Sequence, residues 1–306
     1  MASPEQHGGA TNHFPSGKTK EGFPIEGHPE LVLFRYKNDV TAFDQAKFTR
    51  TFENKASSSN TTNARIFEML NAAGIPTAFV RQHSETEFIA RRCTMVPLEV
   101  VARRYAVGSF LKRNDASAYP EQNGVPFKFE GKPVVEFFLK TTKGGLSTPD
   151  GEVLVSGLSA EAGEEDPYIA NPEAPEWKLD HPKKPAGSAE ADLGLRVEAS
   201  KVLPSADAIS KMRDMITRVF EVIETFFEEH DFKFIDLKIE FGVTPDGELV
   251  VADVIDNDSW RLRDAAWKEV SKQSFRDKAA TGNEDLSDVA ENYALVAALL
   301  DSHRVT

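Results

Sequence analysis

The sequence predicts a mixed chain of strands and helices with room for one large or two modest domains. Three observations carry that reading. The stretch VTPDGE (243–248) is a strong turn signal between two alternating segments, so it predicts an antiparallel hairpin. Residues 205–230 repeat apolar side chains at helical spacing. The 306 residues, 40% hydrophobic and 28% charged, have the composition of a soluble globular protein with a sizeable core.

Along the chain, residues 1–14 are polar and are expected to form a mobile tail. LVLFRYKNDVTAF (31–43) reads as a strand running into a turn. NTTNARIFEMLNAAGIP (60–76) reads as a helix: Ile66, Phe67, Met69 and Leu70 mark its buried stripe, Gly74 suits its C-cap and Pro76 stops it. TAFVRQ (77–82) and EFIARRCTMVPLEVVARRYA (87–106) follow as strands, with Pro97 arguing for an edge or a break. Between 141 and 200, thirteen residues are Pro or Gly, and twelve acidic residues face five basic ones. That texture predicts a long surface insertion with little core of its own.

The clearest helix spans 205–230, with Ser205 as N-cap and Asp207 in its first turn. Ile209, Met212, Met215, Ile216, Val219, Phe220, Ile223, Phe226 and Phe227 trace one face, and the plain reading of that face is core. A last helix, 284–302, carries Leu286, Val289, Tyr293, Val296 and Leu300. No internal repeat is present.

The charge balance narrows the function. With 49 acidic and 36 basic residues the formal net charge is -13, so nonspecific binding to nucleic acid or anionic membrane is disfavoured. The single cysteine, Cys93, allows no intrachain disulfide, in keeping with a reducing cytoplasm. The N-terminus has no apolar run to serve as a secretory signal, and no stretch approaches the roughly 18–20 apolar residues of a membrane span.

Three constellations carry candidate chemistry. IDLKIEFG (235–242) alternates Asp236, Lys238 and Glu240 with Leu237, Ile239 and Phe241, so the charged three share one strand face. Folding at Pro245–Gly247 sets Glu240 nearly opposite Ala252 or Asp253, depending on a bulge at Gly247. The Glu240 and Asp253 carboxylates then converge beside Lys238. Two close carboxylates repel unless a cation lies between them, and Mg²⁺ commonly uses one or two carboxylates plus phosphates. Asp256, Asp258 and Arg261 follow in a segment too polar for core; the bland alternative is a solvated face with cross-strand ion pairs.

The second constellation, VPLEVVARRYAVGSFLKR (96–113), offers Glu99, Arg103, Arg104, Gly108 and Ser109. Its arginines suit bidentate contacts to phosphate or carboxylate, or an ion-paired edge. The third, SGKTKEG (16–22), suits a turn over nucleotide phosphates but is not a Walker A loop.

PLEVVARRYAVGS (97–109) and IDLKIEFG (235–242) together resemble the two signatures of the phosphoribosylaminoimidazole-succinocarboxamide synthase (SAICAR synthetase) family. GKTKE (17–21), KNDVTAFD (37–44), AGIPTAF (73–79), SFLKR (109–113), DPYI (166–169), ADVIDNDSWRL (252–262) and KQSFRD (272–277) extend the resemblance. It is similar to the subgroup fused in animals to a carboxylase, although this sequence shows no carboxylase domain.

The resemblance implies an α+β fold. A small N-terminal antiparallel-sheet lobe (15–97) would bind nucleotide, and a larger lobe (98–306), with the 141–200 insertion, would bind metal and substrate, with ATP in the cleft. It implies a cytoplasmic ligase of purine biosynthesis that joins L-aspartate to the carboxylate of carboxyaminoimidazole ribonucleotide (CAIR) through an acyl phosphate, using ATP and Mg²⁺. Small molecules, not nucleic acid or membrane, are the implied partners, and a homo-oligomer stays open.

By resemblance, Lys18 and Lys20 would hold ATP phosphates, and 92–99, with Met95 and Glu99, would form the adenine hinge. Glu240 and Asp253 would ligate Mg²⁺, with Lys238 near the nucleotide. Arg103, Ser109 and Arg261 would bind CAIR, and Asp258 would position CAIR or the amine. Asp39, Thr41, Lys55, Ser59 and Asn60 would line the substrate cleft. Lys272 and Arg276 would close over the anionic ligands, unless they are an ordinary helix-surface pair.

The sequence departs from the family pattern at Asn54, where Gly is usual before Lys, at Arg263, where an aromatic is frequent, and at Ser271, where Asp is common. The insertion is also atypical. Two other readings remain: a phosphotransferase without an amine acceptor, and a nucleotide-binding protein without catalysis.

Overall fold

The computed structural model describes residues 17, 19–41, 49–282 and 285–304. The chain opens with β1 (Lys20–Ile25), β2 (His28–Tyr36), β3 (Asp39–Thr41) and β4 (Thr49–Thr51). Then come α1 (Lys55–Ala72), β5 (Phe79–Gln82) and β6 (Glu87–Arg91). A four-stranded antiparallel sheet runs β1-β2-β6-β5, and β3 pairs with β4 alone. α1 lies on this sheet, with Phe67 stacked on Phe79 at 5.5 Å between ring centroids. Its C-terminus closes as a Schellman motif. Gly74, at φ 67, follows the capping Ala73; the Gly74 N–H donates to the Asn71 carbonyl and the Ile75 N–H to that of Leu70.

The rest of the chain supplies β7 (Thr94–Arg103), α2 (Ser109–Arg113), β8 (Val134–Leu139), β9 (Leu146–Ser147), β10 (Val153–Val155), β11 (Tyr168–Ile169), β12 (Glu176–Asp180) and β13 (Asp192–Glu198). These are followed by α3 (Ala208–Glu229), β14 (Lys233–Val243), β15 (Leu249–Ala252), β16 (Trp260–Arg263), α4 (Gln273–Thr281) and α5 (Ser287–Ser302). An eight-stranded sheet runs β13-β12-β11-β8-β7-β14-β15, with β16 also on β14. The two sheets meet where Thr77 bridges Val251. No helix among the described residues is long and apolar enough to cross a membrane.

The large sheet has two unlike faces. Leu98, Val100 and Ala102 of β7 and Leu237, Ile239 and Phe241 of β14 are buried at 0–1% exposure in the main core. α3 covers them with the predicted stripe, of which Met215 and Phe226 stay half-buried. Phe227 stacks on Phe234 and meets Trp260 edge-on. Each such side chain contributes about 1.5–3 kcal/mol by leaving water. The opposite face carries Glu99, Arg103, Glu136, Asp236, Lys238 and Glu240.

Several expectations are corrected. α1 starts at Lys55, five residues before Asn60, because Asn54 takes the left-handed conformation (φ 63, ψ 7) that Asn tolerates best after Gly. Pro97 lies in a central strand, at a register shift between Glu240 and Phe241, so of its two readings the break holds, as a bulge, and the edge does not. The N-cap of α3 is Asp207, to which the Ser205 hydroxyl donates at 2.6 Å.

The 141–200 segment is not a surface insertion throughout. β11, β12 and β13 extend the large sheet, and Trp177, Leu179, Ile169 and Val197 join its core. The Trp177 indole donates to the Pro172 carbonyl. Strands of two to seven residues between Pro and Gly turns are too short to show a period.

Candidate active site

The register of the hairpin falls as the turn signal requires, with Glu240 opposite Ala252. Asp253 follows β15 at φ 61, where the backbone turns away from the strand. On the other side Glu240 faces Glu99 of β7. Three carboxylates thus gather, and three lysines answer them. Lys238 Nζ is 3.0 Å from both Glu99 Oε1 and Glu240 Oε1. Lys140, just past β8, donates to Glu240, and Lys20 of β1 donates to Asp253.

Burial alone would lower the Lys238 ammonium, but Glu99, Glu240 and Asp253 hold it well above its usual value. Lys140 is raised against burial by Glu240 and Asp253. Burial would raise the Asp253 carboxyl; Lys20, then Lys238 and Lys140, pull it down to about 2. Formal charges balance, three against three. Glu240 and Asp253 are carboxylate oxygen donors of the class that Mg²⁺ takes when phosphate oxygens and water complete its shell. No cluster of three or more His, Cys, Asp or Glu side chains able to hold a metal occurs among the described residues.

Beside this cluster runs a chain of ion pairs. Asp236 has arginines as cross-strand neighbours on both sides, Arg103 of β7 and Arg261 of β16, and both donate to its Oδ2. Arg103 also donates to Glu136 at 2.6 Å, and Arg113 to the other Glu136 oxygen. Arg103 Nη2 reaches Ser109 Oγ at 3.4 Å.

Arg103, Glu136 and Asp236 are nearly sealed, whereas Arg261 is 23% exposed and held at Nε by Gln273 at 3.3 Å. Gly108 makes this possible. Its φ 59, ψ −129 excludes other residues, and a Cβ there would stand 2.8 Å from Arg261 Nη2. The carboxylate partners take the Nε and one Nη1 donor of Arg103, and Arg261 is the more open group.

The third group centres on Asp258, in the loop between β15 and β16. Its Oδ2 accepts from Lys272 at 3.0 Å and lies 3.7 Å from Lys55 Nζ. The Tyr293 hydroxyl of α5 donates to Oδ1. Burial would raise this carboxyl, but Lys272 and Lys55 hold it far below the usual carboxylate range. Neighbouring Asp256 is raised by burial and by Asp258.

Tyr36 is raised well above its ordinary value by burial and by Asp256, Asp253 and Asp258, which places it at this loop. Lys55 Nζ, Ser59 Oγ and both amide atoms of Asn257 are buried without a hydrogen-bond partner among the described residues. Unanswered buried polar atoms are a cost that a bound ligand can relieve.

The predicted residues divide accordingly. Lys20, Glu99, Lys238, Glu240 and Asp253 come together, as do Lys55, Asp258 and Lys272, and as do Arg103, Ser109 and Arg261. Asn60 instead holds a turn, its amide donating to the carbonyls of Ser84 and Glu85. Arg104 leaves the site altogether, pairing bidentately with Glu224 of α3. Asp39 sits half-buried opposite Thr51. Met95 is exposed on β7. Arg276 contacts Gln273 at 3.5 Å. Lys18 and the Thr41 side chain lie outside the described residues.

Sequence reasoning missed Lys140, which ends an apolar strand with no motif of its own, and Tyr293, whose apolar stripe hid its hydroxyl. Ser271, in place of Asp, still accepts from the Gln273 N–H at 3.3 Å at the start of α4, as Ser and Asp both can. Arg263 lies 5.8 Å over the Trp267 ring.

Residues 13–153 and 188–293 match the family model described as SAICAR synthetase. A phosphoribosylaminoimidazole-succinocarboxamide synthase of Chloroflexus aurantiacus is 34% identical over 286 residues, 92% of this chain and 93% of that protein. A bifunctional phosphoribosylaminoimidazole carboxylase/phosphoribosylaminoimidazole succinocarboxamide synthetase of Drosophila melanogaster is 35% identical over 285 residues. There the match takes in 92% of this chain and 55% of the fly protein, so the chain spans about half of that relative's length. Among solved structures, a SAICAR synthetase (type 2) in complex with ADP agrees in fold, with a TM-score of 0.67 at 23% identity over 95% of this chain and 99% of that one.

Proposed function

The chain belongs to the SAICAR synthetase family, and from that premise we propose that it joins L-aspartate to the carboxylate of CAIR, converting ATP to ADP and phosphate. The observation that carries this reading is the meeting of Lys20, Lys140 and Lys238 with Glu99, Glu240 and Asp253. Beside it lie Arg261 and the Asp258 group. Phosphoryl transfer needs cations around the phosphates and a metal more than it needs a covalent nucleophile.

A carboxylate is a poor acyl donor. In the proposed reaction the γ-phosphoryl group passes to a CAIR carboxylate oxygen and ADP leaves. The aspartate amine then bonds to the acyl carbon, phosphate departs and the nitrogen loses a proton. Lys20, Lys140 and Lys238 hold the phosphates. Glu240 and Asp253 would hold Mg²⁺, which supplies positive charge to the phosphate oxygens. Met95 and Glu99 border the base, and Arg261 with Ser109 binds the ribose phosphate, backed by Arg103. Asp258, kept ionised by Lys272 and Lys55, is suited to orient the amine and not to take its proton.

The test is ADP release by purified protein with ATP, Mg²⁺ and CAIR, with and without L-aspartate. Release that requires aspartate and matches succinocarboxamide formation is expected. Equal release on CAIR alone would replace the ligase with a phosphotransferase.

A further inference from the structure

Outside the three groups of the candidate site, the C-terminal ends of α3 and α5 bring two histidines together. His230 caps α3 and His303 caps α5, and their Nε2 atoms are 3.1 Å apart. Each ring is oriented by its other nitrogen. His230 Nδ1 lies 2.7 Å from the Phe226 carbonyl, and His303 Nδ1 lies 3.0 Å from that of Leu299. A carbonyl can only accept, so both Nδ1 atoms carry the hydrogen. The Ser302 hydroxyl also lies 2.9 Å from His303 Nδ1, but its own hydrogen goes to the Leu299 carbonyl, which leaves the same tautomer. Both Nε2 atoms therefore present lone pairs to one another, and a pair of acceptors at this distance calls for an electrophile.

The geometry points to a metal ion rather than a shared proton. The ring centroids are 4.3 Å apart and the planes cross at 72°, nearer to the roughly 4.8 Å of two rings aimed at one ion than to the roughly 5.4 Å of head-on contact. An N–H···N bond needs both axes near the line of centres, whereas these meet obliquely. Nitrogens 3.1 Å apart, each about 2.0–2.1 Å from a metal, subtend roughly 100° there, between a cis-square and a tetrahedral pair.

Imidazole ligands that donate their other N–H to backbone carbonyls are the usual second support of such sites. Two helix C-termini, each the negative end of a macrodipole, also favour a cation. The pair opens on a groove of about 660 Å³ lined by Arg218, Glu221, Phe226 and Glu229, with room for water or an incoming group to complete the shell. We infer that His230 and His303 form a site for an imidazole-preferring divalent metal of the zinc, cobalt or nickel class, which staples α3 to α5.

The experiment is titration of the full chain with Co²⁺, followed by its visible absorption and displaced by Zn²⁺, with excess Mg²⁺ present to hold the carboxylate site. One equivalent with nitrogen-ligand absorption is expected. His303→Gln, at an exposed helix end, and His230→Gln should each weaken it by roughly tenfold or more, with circular dichroism confirming that the variants fold. Zinc should also slow amide exchange at the ends of α3 and α5. Binding unchanged in His303→Gln would assign the metal to other histidines, such as His7 or His13, and overturn the inference. So would imidazole nitrogen spectra that show a proton shared between the rings in excess zinc.

Discussion

Arg103 and Arg104 are adjacent in sequence and opposite in fate. Arg104 points toward α3, where Glu224 takes it bidentately and the Phe129 and Gly131 carbonyls take the rest. All of its partners are structural. Arg103 points to the other face, into Glu136 and Asp236, and its chain of charges continues to the more open Arg261. One face of the sheet thus closes on itself, while the other leaves charge within reach of a ligand. The lesson is that a buried arginine says little until its face is known. Period-2 geometry assigns the face before any contact is seen.

The sharpest way to break this comparison is Asp253→Asn. It should lower aspartate-dependent ADP release by about a hundred- to a thousandfold, with a modest loss of stability of about 1–2 kcal/mol by urea unfolding. A variant that stays active at ordinary Mg²⁺ would remove Asp253 from the metal set. Glu224→Gln should do the reverse. It strands Arg104 and costs about 3 kcal/mol of stability, measured by urea midpoint, with turnover per folded molecule unchanged.

Gly108→Ala lies between the two. The strained φ costs about 1–2 kcal/mol, and the 2.8 Å Cβ contact pushes Arg261 aside, so KM for CAIR should rise about tenfold with a smaller change in kcat. The smallest effect is in acid. The Asp253 pKa, depressed to about 2, contributes stability that is present above its unfolded value near 3.9 and lost as pH falls through about 2. The stability difference between wild type and Asp253→Asn should therefore be flat from pH 7 to about 5 and shrink below about 4. A difference that grew with acid would reverse the assigned shift.

Much of the site was legible because its signals were local. The VTPDGE turn determined the pairing of Glu240 with Ala252, and alternation then placed Asp236, Lys238 and Glu240 together. The α3 stripe was equally plain. What escaped depended on distance in the chain. Lys140 meets Glu240 across 100 residues, and Tyr293 meets Asp258 across 35. Neither position carries a pattern. β11–β13 escaped because a two-residue strand such as β11 is held by its neighbours in the sheet and not by its own composition.

Lys20 belongs to the small sheet and Asp253 to the large one, and each answers the other. A polyphosphate that draws Lys20 away would break one attachment between the sheets and make another through itself at the same place. Apparent nucleotide affinity is then the intrinsic affinity reduced by the strength of the attachment it replaces. In the proposed reaction the same contact would also help expel the spent nucleotide, and its strength would set a compromise between holding ATP and releasing ADP.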